Sequence, residues 1–161
     1  MMKISRLAMP LLSIGLALGA FSFGASASVA GLSGNWSNTD AHGAIPEIVV
    51  APTSGSRVNV TVFGQCEPTN CNWGTVSGAT YAPNVGGDPV NDATAATAYY
   101  QQGFAKRYVI LRQRGQYLTY EIFSSFEDNS GRSSYILSGT MRHALRLIHL
   151  LSPVMVKPSG P

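Results

Sequence analysis

Cys66 and Cys71 are the two cysteines of the 161-residue chain. Their close spacing in an exported chain points to a local disulfide, because no cluster of further ligands beside them argues for a metal. Such a bridge closes a six-residue loop and contributes only about 2 kcal/mol in the chain-entropy picture. It shapes the Glu67–Asn70 tip more than it holds a fold. The three histidines, His42, His143 and His149, are scattered and fit no zinc, nucleophile or general-base spacing. Serines are plentiful, but Gly-x-Ser-x-Gly is absent, and Glu47, Glu121, Glu127 and Asp128 form no readable acid–base pair. The run Glu127–Gly131 offers oxygen ligands for Ca²⁺, but without the spacing of a known loop, and a hairpin turn accounts for it. No cofactor, metal or catalytic motif is therefore expected. What remains is aromatic and cationic: Tyr81, Tyr99, Tyr100, Tyr108, Tyr117 and Tyr120, with Arg107, Arg112 and Arg114 nearby. That chemistry suits binding, or the cross-strand pairing of an ordinary sheet.

Export is read from the start of the chain. Lys3 and Arg6 precede an apolar run from Leu7 to Phe23, which ends in small residues at Ala25-Ser26-Ala27. A basic region, an apolar region and an A-x-A-like exit describe a secretory leader over residues 1–27, and export from a bacterial cell into periplasm or medium follows. Beyond residue 27 the chain holds nine basic and eight acidic residues, a net charge of +1. The basicity of the whole chain lies in its leader, so neither nucleic acid nor an acidic membrane is an expected partner.

Short runs of strand character then recur at about 10–15 residue intervals, the spacing of an all-β sandwich or barrel. Eight are expected: 33–39, 45–51, 57–65, 72–82, 93–101, 104–114, 116–126 and 132–142. Val58, Val60 and Val62 alternate against Asn59, Thr61 and Phe63, and Leu118, Tyr120, Ile122 and Ser124 against Tyr117, Thr119, Glu121 and Phe123. The fourth run places Trp73, Thr75, Ser77, Ala79 and Tyr81 on one face by the same period-two rule. The loop 83–92 is rich in Gly, Pro and Asp and carries no regular structure. Residues 31–142 thus make one domain, followed by 143–161, an apolar segment and a tail. The apolar stretch 143–151 is too short to span a bilayer and packs on the domain or forms a contact between copies of the chain.

A secreted chain with few charges guards exposed sheet edges poorly, and closing the sheet removes the edges. The expected fold is an eight-stranded antiparallel up-and-down barrel, with a two-sheet β-sandwich as the alternative. The opening Ala30–Asn38, with Gly34-x-Trp36, resembles the first strand of the avidin and streptavidin family and of the wider lipocalin-like barrels, which include bacterial protease inhibitors. The resemblance implies that Trp36 closes the barrel bottom and that Asn38 takes the place of the avidin-family Asn that binds the biotin ureido oxygen. The chain departs from that pattern: no Trp follows Trp73, and His42 stands where a Ser belongs, so biotin is not the expected ligand. The stretches Phe63–Gly74 and Phe126–Arg132 also resemble segments of uncharacterised secreted bacterial domains.

The functional expectation is a non-enzymatic exported binding protein that holds a small molecule in the barrel mouth or meets an extracellular protein with its loops. Asn38, Trp73, Tyr99 and Tyr120 are the candidate ligand-binding residues. A barrel-type inhibitor of an extracellular protease is the alternative, and a small hydrolase or cyclase has no motif in its favour. A deep polar mouth would favour the ligand, and an interior filled by Val58, Val60, Leu118 and Ile122 would leave recognition to the surface.

Overall fold

The structure is a computed structural model that describes residues 28–144. The expected leader, residues 1–27, and residues 145–161, which hold nearly all of the apolar segment expected to form a contact and the tail, lie outside the described residues. Eight strands follow in order: β1 (Gly34–Asn38), β2 (Glu47–Pro52), β3 (Arg57–Gly64), β4 (Cys71–Tyr81), β5 (Ala95–Gln102), β6 (Ala105–Arg114), β7 (Tyr117–Phe126) and β8 (Tyr135–His143). Each pairs antiparallel with the next, and β8 returns to β1 with Trp36 opposite His143 and Asn38 opposite Met141. The sheet is a closed up-and-down barrel, not a sandwich.

Alternation decides what lies inside. Ile48 and Val50 from β2, Val58, Val60 and Val62 from β3, Val109 and Leu111 from β6, and Leu118 and Ile122 from β7 are all buried. β5 is rich in Ala and Thr, yet it is a strand, and Ala96, Ala98 and Tyr100 face inward. Those small side chains leave room for the large ones opposite, the packing an eight-stranded barrel requires. Tyr100 is buried with its hydroxyl donating to the Val60 carbonyl at 2.6 Å, and burial pushes its phenol well above the ordinary range.

The two ends differ. A single helical turn, α1 (Val29–Leu32), is capped by Ser28, whose Oγ accepts from the Gly31 amide at 3.1 Å. It buries Val29 and Leu32 at the base. Trp36 is fully buried there; its Nε1 donates to the Leu32 carbonyl at 2.9 Å, satisfying one of the carbonyls that a helix end leaves open, and its ring lies 3.7 Å from that of His143. The opposite end gathers the β1–β2, β3–β4, β5–β6 and β7–β8 connections and forms the mouth.

Strand limits shift where local chemistry intervenes. The second strand starts at Glu47 and not Ile45, since Pro46 has no amide to give to a ladder; Ile45, fully buried, plugs the interior from the β1–β2 loop. The eighth starts at Tyr135, because Asp128 accepts from the Ser130 amide and pairs with Arg132, which prolongs the turn. The Ser130 hydroxyl, then the Ser130 amide and Arg132, hold the Asp128 carboxyl below the usual carboxylate range. His143, expected to open the apolar segment, ends β8.

Trp36→Phe removes the donor to Leu32 and part of the base packing. It is expected to lower stability by about 2 kcal/mol in denaturant titration; a change within about 0.3 kcal/mol would show that the base does not depend on the indole.

Candidate functional site

Val58, Val60, Leu118 and Ile122 are each fully buried, so the body of the barrel is packed and any ligand space lies at the mouth. At this end sits a cavity of about 530 Å³, lined among others by Trp73, Gln102, Phe104, Arg107, Tyr135 and Leu137. Arg107 stands in register with the buried Tyr100 of β5 and Ser124 of β7. Ligand sites of proteins commonly have this size and concavity.

Trp73 reaches the cavity through an irregularity in β4. Thr61 pairs with Thr75 and Phe63 with Asn72, so Trp73 and Gly74 both stand opposite Val62. Gly74 takes φ +85°, where a side chain would be strained. The extra residue shifts the parity of the strand. Trp73 therefore does not share a face with Thr75, Ser77, Ala79 and Tyr81, as strict alternation predicts; it turns inward and packs against the core edge, with its ring 6.0 Å from that of Tyr100, edge to face. Gly64 makes this possible, since a Cβ there would stand 2.8 Å from the indole Nε1. The Cys66–Cys71 disulfide bridges the strands beside the bulge, and both half-cystines line the cavity.

Arg107 is the unusual residue. It is only 6 % exposed, with its guanidinium 4.4 Å from the Trp73 ring centroid and 5.4 Å from that of Phe104. Its Nη1 donates to Gln102 Oε1, and Gln102 in turn donates to the Trp73 carbonyl at 3.0 Å. Desolvation pushes Arg107 below the ordinary guanidinium value, opposed by the hydroxyl of Tyr135. Its Nε is buried without a partner, as is the Oγ of Ser124. The ion pairs of the described residues join Lys106 to Glu127, Arg112 to Glu121 and Arg132 to Asp128, so none reaches Arg107.

The four candidate residues fall in three places. Asn38 and Tyr120 meet, Nδ2 donating to the phenol oxygen at 3.3 Å, beside a second cavity of about 370 Å³ that shares Ala44 and Leu137 with the first. Asn38 Nδ2 also donates to the Ile45 carbonyl at 2.8 Å, and its Oδ1 accepts from the Asp40 amide at 2.9 Å. Its amide thereby organises the β1–β2 loop from both ends. Tyr120 is buried, which raises its phenol pKa. Trp73 lines the larger cavity, and Tyr99 is on the outer wall with its ring 4.7 Å from that of Tyr108. Register places Tyr99, Tyr108, Phe123 and Ile136 in one outward row over four strands, beside a shallow groove of about 640 Å³.

The sequence groups Arg107 with Arg112 and Arg114 as cations that pair with anionic groups or solvate the rim, and the inward face of Arg107 is missed. Its phase was readable, two and four residues before the buried Val109 and Leu111. Gly74 was the signal for the bulge, because an isolated glycine within a strand marks one. Among the described residues no three His, Cys, Asp or Glu side chains converge on a point where a metal ion could sit. No family model, curated protein or solved structure matches the chain.

Gly64→Ala places a methyl against the indole and must displace Trp73 toward solvent. A red-shifted Trp73 emission is expected, with a stability loss of about 1 kcal/mol; an unchanged spectrum would mean that the close approach of Gly64 does not hold the ring.

Proposed function

We propose that the chain is an exported, non-enzymatic binding protein that takes a small molecule in the mouth of its barrel. The observation that carries the reading is the cavity at the mouth, where the nearly buried Arg107, with no carboxylate of the described residues paired to it, stands beside the aromatic side chains of Trp73, Phe104 and Tyr135. A buried polar group left without a partner costs about 1–3 kcal/mol, and a ligand that supplies an acceptor for the guanidinium is a reason to keep Arg107 there. Trp73, Phe104 and Tyr135 supply area at small entropy cost, while Gln102 and Arg107 orient the guest. The interior filled by Val58, Val60, Leu118 and Ile122 counts against a guest inside the barrel, as expected from the sequence, and confines this reading to the rim cavity. Export rests on the leader pattern over residues 1–27.

A second reading, contact with an extracellular protein, is favoured by the outer row, in which Tyr108 is 57 % and Ile136 60 % exposed. The two surfaces lie on opposite sides of the barrel wall, so variants separate them. Native mass spectrometry of the protein purified from its producing culture is expected to show a small organic adduct that is lost in Leu137→Trp, which fills the cavity, and retained in Tyr108→Ser. An adduct retained in Leu137→Trp and lost in Tyr108→Ser would transfer the site to the outer wall.

A further inference from the structure

We infer that the ligand of the mouth is a small organic monoanion, a carboxylate on an aromatic or aliphatic body, anchored by Arg107. This rests on the mouth-binding reading and adds the charge and shape of the guest. A guanidinium keeps its proton in proteins, so the burial of Arg107 cannot be relieved by neutralisation and calls for an acceptor. The guanidinium carbon lies 4.4 Å from the Trp73 ring centroid and 5.4 Å from that of Phe104. One donor, Nη1, is taken by Gln102, and no carboxylate of the described residues pairs with the group, although it lines the cavity. A carboxylate approaches a guanidinium at its edge, through in-plane N–H donors.

Charge counting selects a monoanion. The neighbouring cations Lys106 and Arg132 are matched by Glu127 and Asp128, which leaves the single positive charge of Arg107. A dianion would bring a second negative charge into this half-buried space with no cation to meet it. The walls set the rest: Ile45, Trp73, Phe104 and Leu137 offer apolar surface that a bare inorganic anion would leave uncovered.

Benzoate, its neutral isostere benzamide and inorganic phosphate test the inference, read by tryptophan fluorescence and isothermal titration on the purified protein. Trp36 is fully buried at the base, so a response reports Trp73. Benzoate is expected to bind saturably, with benzamide and phosphate weaker by roughly tenfold or more. Arg107→Gln should bring benzoate down to the benzamide level, and Arg107→Lys, which keeps the charge without the planar fork of donors, should weaken benzoate several-fold. Benzamide binding as tightly as benzoate, or benzoate indifferent to both substitutions, overturns the carboxylate and leaves the mouth-binding reading standing. Phosphate binding as tightly as benzoate overturns the apolar body. A Trp73 signal that none of the three probes moves overturns the inference, and an adduct still displaced by Leu137→Trp would then show that the mouth reading survives without it.

Discussion

The pairing of β8 with β1 is the constraint on which the rest of the molecule depends. It joins Trp36 to His143 and Asn38 to Met141 across the seam and converts a meander with two open edges into a surface with an inside. Once the seam is closed, side-chain parity along each strand is fixed. A residue either joins the packed interior or faces out, and a one-residue slip would exchange the two sets. The valines of β3 and the Leu118, Tyr120 and Ile122 series of β7 satisfy that rule throughout. The base is sealed by α1 and Trp36, so the single end at which the interior can meet a guest is the one where four connections gather.

At that end two departures from regularity make the site. The β4 bulge turns one aromatic residue from the outer to the inner face, and the inward phase of β6 carries a guanidinium to a level where its neighbours are apolar. Neither stabilises a barrel by itself. A bulge sacrifices ladder pairing, and a buried cation without a carboxylate loses hydration that a ring face and one amide restore only in part. Local departures that weaken a fold gather where recognition takes place. The disulfide strap, the Gly64 close approach and the Gln102 bridge hold Trp73 and Arg107 in mutual contact, and so keep the concavity formed.

The barrel was legible in the sequence because eight alternating runs leave few ways to bury their apolar faces, and the strand limits follow the turn residues within a few positions. The site was legible only in fragments. Trp73 was named for its residue type while its face was read wrongly, because period-two counting has no knowledge of an inserted residue; Gly74 alone carried that information. Arg107 stood in phase with Val109 and Leu111, but a cation in a strand is ordinarily a rim residue, and only the closed geometry shows how little of it meets water. Asn38 and Tyr120 do come together, through a long-range contact no local pattern encodes, and the Asn38 amide is occupied by the loop it holds. Tyr99 belongs to the outer wall by the same alternation that puts Ala98 and Tyr100 inside.

Arg107, at the mouth, carries a buried Nε–H without a protein partner. The ¹⁵N–¹H resonance of that group measures it directly, assigned by its loss in Arg107→Lys. In the ligand-free protein the signal is expected at the position of an unbonded guanidinium, moving downfield as benzoate is added. A resonance already in the strongly hydrogen-bonded range without ligand, and unmoved by any carboxylate, would contradict it.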